Sequence, residues 1–261
     1  MINGRPETII SLTSFPEAIQ YATEAIRSIL NGSLLPDKVV LYLDTRKFPD
    51  GKIPPVLEKL RKESPIVEVR FDSEEIRSYK KLVPALKDFP DDIIVTIDDD
   101  IHYHRDMLRD LVDMHKRVPD AIIAHRVRKV RLDTPYSKWK KYKWYDFIFK
   151  KVHFSHLAMQ TGVGGVLYPP NSLDRTMLDP ALFMDMAPTN DDVWFWIAAV
   201  SQGTYVVPLP NGRNHVKGIG KPDKISLKKI NLNSGADRNL EALNKILEHY
   251  PEIKRKLREA E

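Results

Sequence analysis

The sequence predicts an α/β protein with a mostly parallel central sheet that is covered by helices on both faces. Residues 1–130 alternate between short apolar runs and amphipathic stretches, which is the pattern of strands connected by helices. The apolar runs are nearly continuous, so each strand is expected to be buried on both faces, as in a parallel sheet. One of these runs ends directly in an acidic triplet, Asp98-Asp99-Asp100.

The first half of the chain predicts five strands and four helices in alternation. The strands are expected where apolar runs are bounded by turn or helix signals, over residues 8–12, 38–43, 66–71, 92–97 and 121–124. The helices are expected where apolar residues recur at helical spacing or where proline stands near a helix start, over residues 16–30, 54–61, 80–89 and 105–116.

The second half is less regular. Residues 131–160 have no clean period, and residues 161–168 predict a strand entered through a Gly-rich turn. The remaining predictions are a helix over 191–201, a strand over 204–207, a loop over 211–222 and a closing amphipathic helix over 238–258.

The composition excludes several classes of protein and site. A chain of 261 residues can bury a core without cross-links. Because it has no cysteine, disulfides, thiolate-bound zinc or iron–sulfur clusters and a cysteine nucleophile are excluded. It has no run of about 18 apolar residues, and its N-terminus lacks the charged-then-apolar plan of a signal peptide. We therefore expect a cytoplasmic chain.

The net charge of +5 is unevenly distributed. Residues 1–130 carry 21 Lys and Arg against 22 Asp and Glu, whereas residues 131–261 carry 20 against 14. Part of this basic excess lies in residues 136–151, where six lysines are mixed with seven aromatic residues. The second half is expected to face an anionic partner. For residues 136–151 the alternatives are a nucleic-acid site, an interfacial membrane segment, a lid over the substrates and a packed insertion.

The acidic triplet is the first candidate for chemistry. Three adjacent carboxylates repel one another, so a cation, hydrogen-bond donors or solvent must compensate their charge. Asp98 and Asp100 point the same way in an extended chain and can share one metal ion. Hard carboxylate oxygens suit Mg²⁺ or Mn²⁺, which often bridge to a substrate diphosphate. The alternative is a cluster that caps the following helix.

Five segments, taken in order, resemble the GT-A nucleotide-sugar-dependent glycosyltransferases, and in particular the bacterial capsule and lipopolysaccharide transferases. They are residues 10–16, 79–86, 94–101, 161–170 and 190–196. An Asp-x-Asp motif alone is common, whereas the ordered set is much more specific. The resemblance implies a Rossmann-like sheet flanked by helices and a hexosyltransferase-type reaction, with a UDP-sugar as the donor.

The same resemblance implies a division of the chain. A GT-A domain is expected over residues 1–222, with a nucleotide-binding half over 1–130 and an acceptor half over 131–222. A C-terminal helical extension would follow over 223–261. The acceptor is expected to be a saccharide or a lipid-linked saccharide in polysaccharide synthesis. Contact with the inner face of the cell membrane is expected through residues 136–151 and the C-terminal helix, with no nucleic-acid partner.

A metal site follows from the resemblance. Asp98 and Asp100 are expected to bind Mn²⁺ or Mg²⁺, with Asp99 beside the substrate. His215 begins a partial match to the His-x-x-Gly-x-x-Lys-Pro motif, in which the histidine is a metal ligand and the lysine, here Lys221, contacts the diphosphate. The family continues with Trp where this chain has Asp223. The alternative for His215 is an ordinary exposed loop histidine.

Further substrate-binding candidates lie mostly in loops that follow or precede strands. Each has a structural alternative, such as a helix-start turn, a turn aspartate, a solvated lysine pair or a simple glycine turn. The candidates are Thr13, Ser14, Phe15, Asp44, Lys80, Lys81, Gly164 and Gly165.

Asp191 and Asp192 are the catalytic candidates. They begin the predicted aromatic helix, and the resemblance places an acidic residue there beside the acceptor. In an inverting enzyme that residue deprotonates the acceptor hydroxyl. The alternative is helix capping, for which Asn190 is also available. The sequence distinguishes neither the two aspartates nor inversion from retention.

Two other functions are considered. An aspartate-dependent phosphatase or phosphotransferase would carry Thr or Val after its Asp-x-Asp motif, where this chain has Ile101-His102. A non-enzymatic anion- or nucleic-acid-binding module would explain the basic second half but not the acidic triplet. Glycosyl transfer is therefore the main expectation.

Overall fold

The computed structural model describes residues 5–210, 216–220 and 237–261. The strands within these ranges are β1 (Thr8–Thr13), β2 (Lys38–Asp44), β3 (Val67–Asp72), β4 (Ile93–Thr96), β5 (Ile101–Tyr103), β6 (Ile122–Ala124), β7 (Val127–Lys129), β8 (Lys140–Lys141), β9 (Ala158–Gln160), β10 (Val166–Tyr168), β11 (Val206–Pro208) and β12 (Val216–Gly218). The helices are α1 (Ile19–Leu30), α2 (Pro55–Glu63), α3 (Val83–Asp88), α4 (Met107–His115), α5 (Pro180–Met186), α6 (Asp191–Gln202), α7 (Arg238–His249) and α8 (Pro251–Glu259).

A seven-stranded sheet in the order β11-β6-β10-β4-β1-β2-β3 forms the centre of the molecule. Strand β1 pairs in parallel with β2 and β4, β2 with β3, and β6 with β11, whereas β10 runs antiparallel to both β4 and β6. The prediction of an α/β fold with a mostly parallel sheet is confirmed. Since parallel neighbours end at one edge, the residues after β1, β2 and β4 are brought together there.

Two apolar cores cover the two faces of this sheet. Alternate residues of one strand point to opposite faces, so Ile9 joins one core and Ile10 the other. The core on the face of Ile10 includes side chains of α1, α2 and α4, and the core on the face of Ile9 includes those of α3, α5 and α6. The covering helices hold the strand ends in place.

Most of the first-half predictions are confirmed to within a few residues. Two predicted helices begin with a 3₁₀ turn instead, over Pro16–Ala18 before α1 and over Arg77–Lys81 before α3. In both cases proline stands at the start of the turn or of the following helix, where it lacks an N–H to donate.

Two small sheets lie outside the central one. β8, β7 and β9 form a three-stranded antiparallel sheet, and β12 pairs antiparallel with β5. The prediction of a loop over 211–222 is therefore wrong at Val216–Gly218. This segment forms a strand because it pairs with β5, more than a hundred residues earlier, and such distant pairing has no local signal in the sequence.

The predicted closing helix over 238–258 is two helices. α7 ends before Tyr250, and Pro251 is the first residue of α8. Proline lacks the N–H that a continuous helix would need and restricts the residue before it. Buried Leu243, Ile246 and Leu257 join both helices to the same core as α6. The division of the chain at residue 222 stays a prediction.

None of the helices in the described part of the chain combines the length and the apolar character that crossing a bilayer requires. The most apolar helix, α6, is instead wrapped by the protein. Trp194 and Trp196 are fully buried, and their indole N–H groups donate to the carbonyls of Met177 and His156. Both tryptophans belong to the core.

Candidate active site

The loop that follows β1 and the acidic triplet that follows β4 lie side by side at the carboxyl edge of the sheet. Asp98, Asp99 and Asp100 follow β4, and the Ser14 hydroxyl after β1 donates to Asp99 Oδ2 at 2.6 Å. The backbone N–H of Asp98 donates to the hydroxyl of Tyr103 at 2.8 Å. The triplet is thus held by one hydroxyl that donates to Asp99 and by one that accepts from the backbone of Asp98.

Lys81 joins the triplet to the start of α6. Its ammonium lies 3.0 Å from Asp98 Oδ1 and 2.9 Å from Asp191 Oδ2, although only 7% of the residue is exposed. Burial alone would lower the pKa of Lys81, but the nearby carboxylates, first Asp191 and then Asp98, raise it well above the usual value. Lys81 therefore stays charged and bridges two acidic side chains that are far apart in the chain.

The carboxylates of Asp191 and Asp192 bind partners outside the helix they begin. The N-cap residue Asn190 makes no side-chain capping hydrogen bond to α6. Asp191 Oδ1 accepts from the Ser78 hydroxyl at 2.9 Å, and Asp192 Oδ1 accepts from the backbone N–H of Gly162 at 2.9 Å. The capping alternative thus does not account for these carboxylates.

The two aspartates differ in their electrostatics. The pKa of Asp192 is raised to about 7, first by burial and then by the neighbouring Asp191 carboxylate, with Lys81 acting in the opposite direction. Asp191 is buried and is held by Ser78 and Lys81, while Asp192 is half-buried. One carboxylate is therefore fixed in an ion pair, and the other has a pKa suited to exchanging a proton near neutral pH.

Gly162 closes the site on the side of β9. A methyl group built on this residue would lie 2.6 Å from Lys81 Nζ and 3.2 Å from Asp192 Oδ1. Any larger side chain would therefore displace the lysine or the carboxylate. The candidates Gly164 and Gly165 lie elsewhere in the same turn: a methyl group on Gly164 would meet Arg126, and one on Gly165 would meet Met107.

Asp44 and Lys80 form a second, separate cluster. Asp44 accepts two side-chain hydrogen bonds from Arg46, at 3.1 and 2.8 Å, and its Oδ2 lies 3.6 Å from Lys80 Nζ. The Arg46 contact, supported by Lys80, holds the pKa of Asp44 well below its usual range. Lys80 also donates to the carbonyl of Asp72 at 2.9 Å. The adjacent lysines Lys80 and Lys81 thus serve two different acidic clusters.

Comparison with known protein families identifies the class of enzyme. A family model described as glycosyl transferase family 2 matches residues 11–177, which spans β1 to the segment after β10. This chain belongs to glycosyl transferase family 2. It is a GT-A glycosyltransferase, and the segment with the acidic triplet and Gly162 lies inside the match. No curated protein matches the chain.

The metal prediction concerns Asp98 and Asp100 of the transferase. Both are partly exposed carboxylates on one strand-end loop, a donor type that fits a hard divalent cation completed by substrate oxygens. Among the residues that the structure describes, no three acidic or histidine side chains form a metal-binding group. The candidates His215 and Lys221 lie outside the described residues, so the fit rests on the aspartates.

The remaining predicted residues of the transferase lie at the ends of β1 and β2. The Thr13 hydroxyl donates to the carbonyl of Tyr42 at 2.8 Å, which ties the two strand ends together. Phe15 precedes the 3₁₀ turn and accepts a backbone hydrogen bond from Ala18 at 2.8 Å. This geometry matches the strand–helix turn alternative, which is compatible with a nucleotide-binding loop.

Sequence reasoning missed three residues of the candidate active site. Ser78 holds Asp191, Tyr103 holds the backbone of Asp98, and Gly162 holds Asp192. The only sequence signal among them was the Gly-rich turn, in which the first glycine, and not the pair that follows it, meets the carboxylates.

Proposed function

We propose that this glycosyltransferase moves a sugar from a nucleotide-diphosphate sugar to a hydroxyl of a saccharide or lipid-linked acceptor in polysaccharide synthesis, with the help of a divalent metal ion. The observation that carries the proposal is the convergence of Lys81, Asp98, Asp191 and Asp192 at the carboxyl edge of the sheet. Open α/β sheets bind their ligands at this edge.

Asp192 is proposed as the general base. Its raised pKa and half-buried position suit a group that accepts a proton from the acceptor hydroxyl. The deprotonated oxygen would then form the bond to the anomeric carbon while the bond to the diphosphate oxygen breaks, as in an inverting transfer. Asp191, anchored by Ser78 and Lys81, would position Asp192 and maintain its raised pKa.

Asp98 and Asp100 are proposed to hold Mn²⁺ or Mg²⁺. A metal ion there would act as a Lewis acid that stabilises the charge of the departing nucleoside diphosphate. Lys81 keeps a positive charge beside Asp98 in its absence. Asp99, bound by Ser14, would lie between the metal and the nucleotide loop.

The nucleoside, for which we propose uridine, would lie along the ends of β1 and β2. Thr13, Ser14 and Phe15 line one side of this edge, and Asp44 with Lys80 forms the other. Gly164 and Gly165 are proposed to let the donor sugar approach the backbone. Peripheral contact with the membrane, through residues 136–151 and the C-terminal helix, would present the acceptor.

A thermal-shift screen tests the proposal. Nucleoside diphosphates and nucleotide-sugars are added with and without Mn²⁺, since a ligand that binds only the folded state must raise the melting temperature. We expect the uridine compounds with Mn²⁺ to give the largest shift and simple phosphate esters to give none. A protein that no nucleotide stabilises in the presence of metal would contradict the proposal.

A further inference from the structure

A basic pocket lies on the small sheet formed by β8, β7 and β9, apart from the candidate active site. It is open and has a volume of about 450 Å³. Its charged lining is basic throughout, with Arg128, Lys140, Lys141 and Lys143, and Ser137 and Tyr145 add two hydroxyl groups. None of the described residues that line it is acidic. A cavity of this composition is complementary to an anion with several oxygen acceptors, such as a phosphate group.

The acid nearest in sequence does not neutralise this pocket. Asp146 is the one acidic residue among residues 136–151. Its carboxylate accepts from Lys129 Nζ at 2.6 Å and from the backbone N–H of Lys143 at 2.8 Å, and only 15% of the side chain is exposed. Burial acts to raise the pKa of Asp146, but these donors lower it below its usual value, so the carboxylate stays bound to Lys129 at neutral pH.

An aromatic loop, residues 144–149, projects beside the basic pocket. Trp144 is 69% exposed, Ile148 55% and Phe149 99%. The loop is nevertheless ordered, since Trp144–Phe147 form a 3₁₀ turn and His153 Nε2 lies 2.9 Å from the carbonyl of Asp146. Contiguous exposed apolar side chains are rare on a soluble surface and mark a contact with another molecule.

Arg128 connects the basic pocket to Tyr136, a residue outside its lining. The guanidinium of Arg128 lies 4.1 Å from the centre of the Tyr136 ring. Burial raises the pKa of Tyr136, Arg128 acts to lower it, and the Asp192 carboxylate acts to raise it. Arg128 also faces Met159 of β9, the strand that leads to Gly162. Arg128 of the basic pocket and Asp192 of the candidate active site therefore both act on Tyr136.

We propose that the basic pocket binds the phosphate of an anionic membrane lipid while the aromatic loop enters the bilayer surface. Lysines beside exposed Trp and Phe are suited to a headgroup layer, where the charges meet phosphate and the rings meet the acyl boundary. Ile148 favours a bilayer over a nucleic acid, because an aliphatic side chain offers no stacking surface to a base. The inference deepens the proposed function. Lipid binding by the pocket stands by itself, whereas the idea that this contact presents the acceptor rests on the proposed function.

Vesicle binding tests the inference with the whole chain and without nucleotide. The probes are vesicles of phosphatidylcholine alone and vesicles that also contain phosphatidylglycerol. Trp144 is the natural reporter, because the other three tryptophans are at most 2% exposed. We expect binding to the anionic vesicles at low salt, with a blue shift of tryptophan fluorescence that Trp144→Phe abolishes.

Two pairs of variants separate charge from insertion. The double variant Lys140→Glu/Lys143→Glu is expected to weaken binding about tenfold or more, since each basic residue near an anionic surface contributes to the attraction. Lys52→Glu/Lys62→Glu, on an exposed turn and on α2, makes the same change in net charge and should have little effect. Phe149→Ser should weaken binding several-fold, whereas Leu35→Ser, at an exposed apolar residue elsewhere, should not.

Several results would overturn the inference. These are no binding to anionic vesicles, an equal loss in the control variants, or a fluorescence shift with inorganic pyrophosphate but not with vesicles. Lysine-dependent binding of a single-stranded oligonucleotide without vesicle binding would assign the basic pocket to nucleic acid instead. The vesicle assay needs no glycosyl transfer, so its failure is distinguishable from a failure of the nucleotide thermal shift.

Discussion

The Lys81 ammonium lies 2.9 Å from the Asp191 carboxylate, although the two residues are 110 positions apart in the chain and both are buried. The same ammonium contacts Asp98, so one lysine holds together the end of β4 and the start of α6. Two of our predictions concern this lysine and the glycine beside it.

Replacing Lys81 by Met should strongly destabilise the fold. Removing one partner of a buried ion pair leaves the others uncompensated, which costs about 3 kcal/mol or more. Urea denaturation of the variant measures this as a fall in the free energy of unfolding. The control is Lys87→Met, which removes an exposed ion pair with Glu74 and should change that energy by less than about 1 kcal/mol. A loss of unfolding free energy in Lys81→Met no larger than the small loss in Lys87→Met would show that the Lys81 contacts contribute little.

Gly162→Ala should slow glycosyl transfer without unfolding the protein. The added methyl group would lie 2.6 Å from Lys81 Nζ and 3.2 Å from Asp192 Oδ1, so these two groups must shift. Since a misplacement of about 1 Å can cost a hundredfold in rate, we expect a loss of roughly that size. Melting temperature and transfer rate are measured on the same sample. A variant with normal turnover would show that Gly162 is not in the active site.

The transfer rate should depend on the protonation of Asp192. With a pKa of about 7, this carboxyl is mostly protonated at pH 6 and mostly ionised at pH 8, so kcat/KM should rise through this range. The measurement is a pH–rate profile of nucleoside diphosphate release. A rate that is flat, or that falls across this range, would contradict the role of Asp192 as base.

The same carboxyl predicts how stability depends on pH. Its pKa is raised from an ordinary 3.8 to about 7 in the folded protein, so the native state binds the proton more tightly than the unfolded chain. The stabilising contribution is full below about pH 4 and declines as pH rises through 7. Asp192→Asn should therefore make the free energy of unfolding less dependent on pH between these limits. An unchanged dependence would show that another group is responsible.

Asp98→Asn and Asp100→Asn should each reduce the stabilisation that a nucleotide gains from Mn²⁺. Loss of one charged ligand weakens a hard-cation site built on carboxylates. The readout is the increase in melting temperature when metal is added to protein with nucleotide. Asp91→Asn, at the exposed opposite end of β4, serves as the control and should behave like the unchanged protein. Metal-dependent shifts that survive in both variants would refute this site.

The fold was largely predictable because its signals are local. The apolar runs of β1, β2 and β4 are continuous, and the amphipathic pattern of α1 and α4 is strong. The break at Tyr250–Pro251 also has a local signal, since the residue before a proline disfavours helix, but our prediction of one helix over 238–258 overlooked it. Pairing of β12 with β5 was not, because it depends on contacts between distant segments of the chain.

The candidate site was predictable in part for the same reason. The acidic triplet and the pair Asp191 and Asp192 stand out at element boundaries. The role of Lys81 depends on three segments that meet only in the folded protein. The sequence does not indicate that Lys81 contacts Asp98 and Asp191 while its neighbour Lys80 contacts Asp44. Likewise, only the folded structure shows that Gly162 is the glycine that approaches the carboxylates.

Nucleoside diphosphate release by Asp192→Asn, measured with saturating donor and Mn²⁺, decides whether Asp192 is the general base. We expect an unchanged nucleotide-induced thermal shift together with a rate about 10²–10⁴-fold lower than that of the unchanged protein, because only the base is removed. A variant that binds the donor normally and turns over at the original rate would show that Asp192 is not the base.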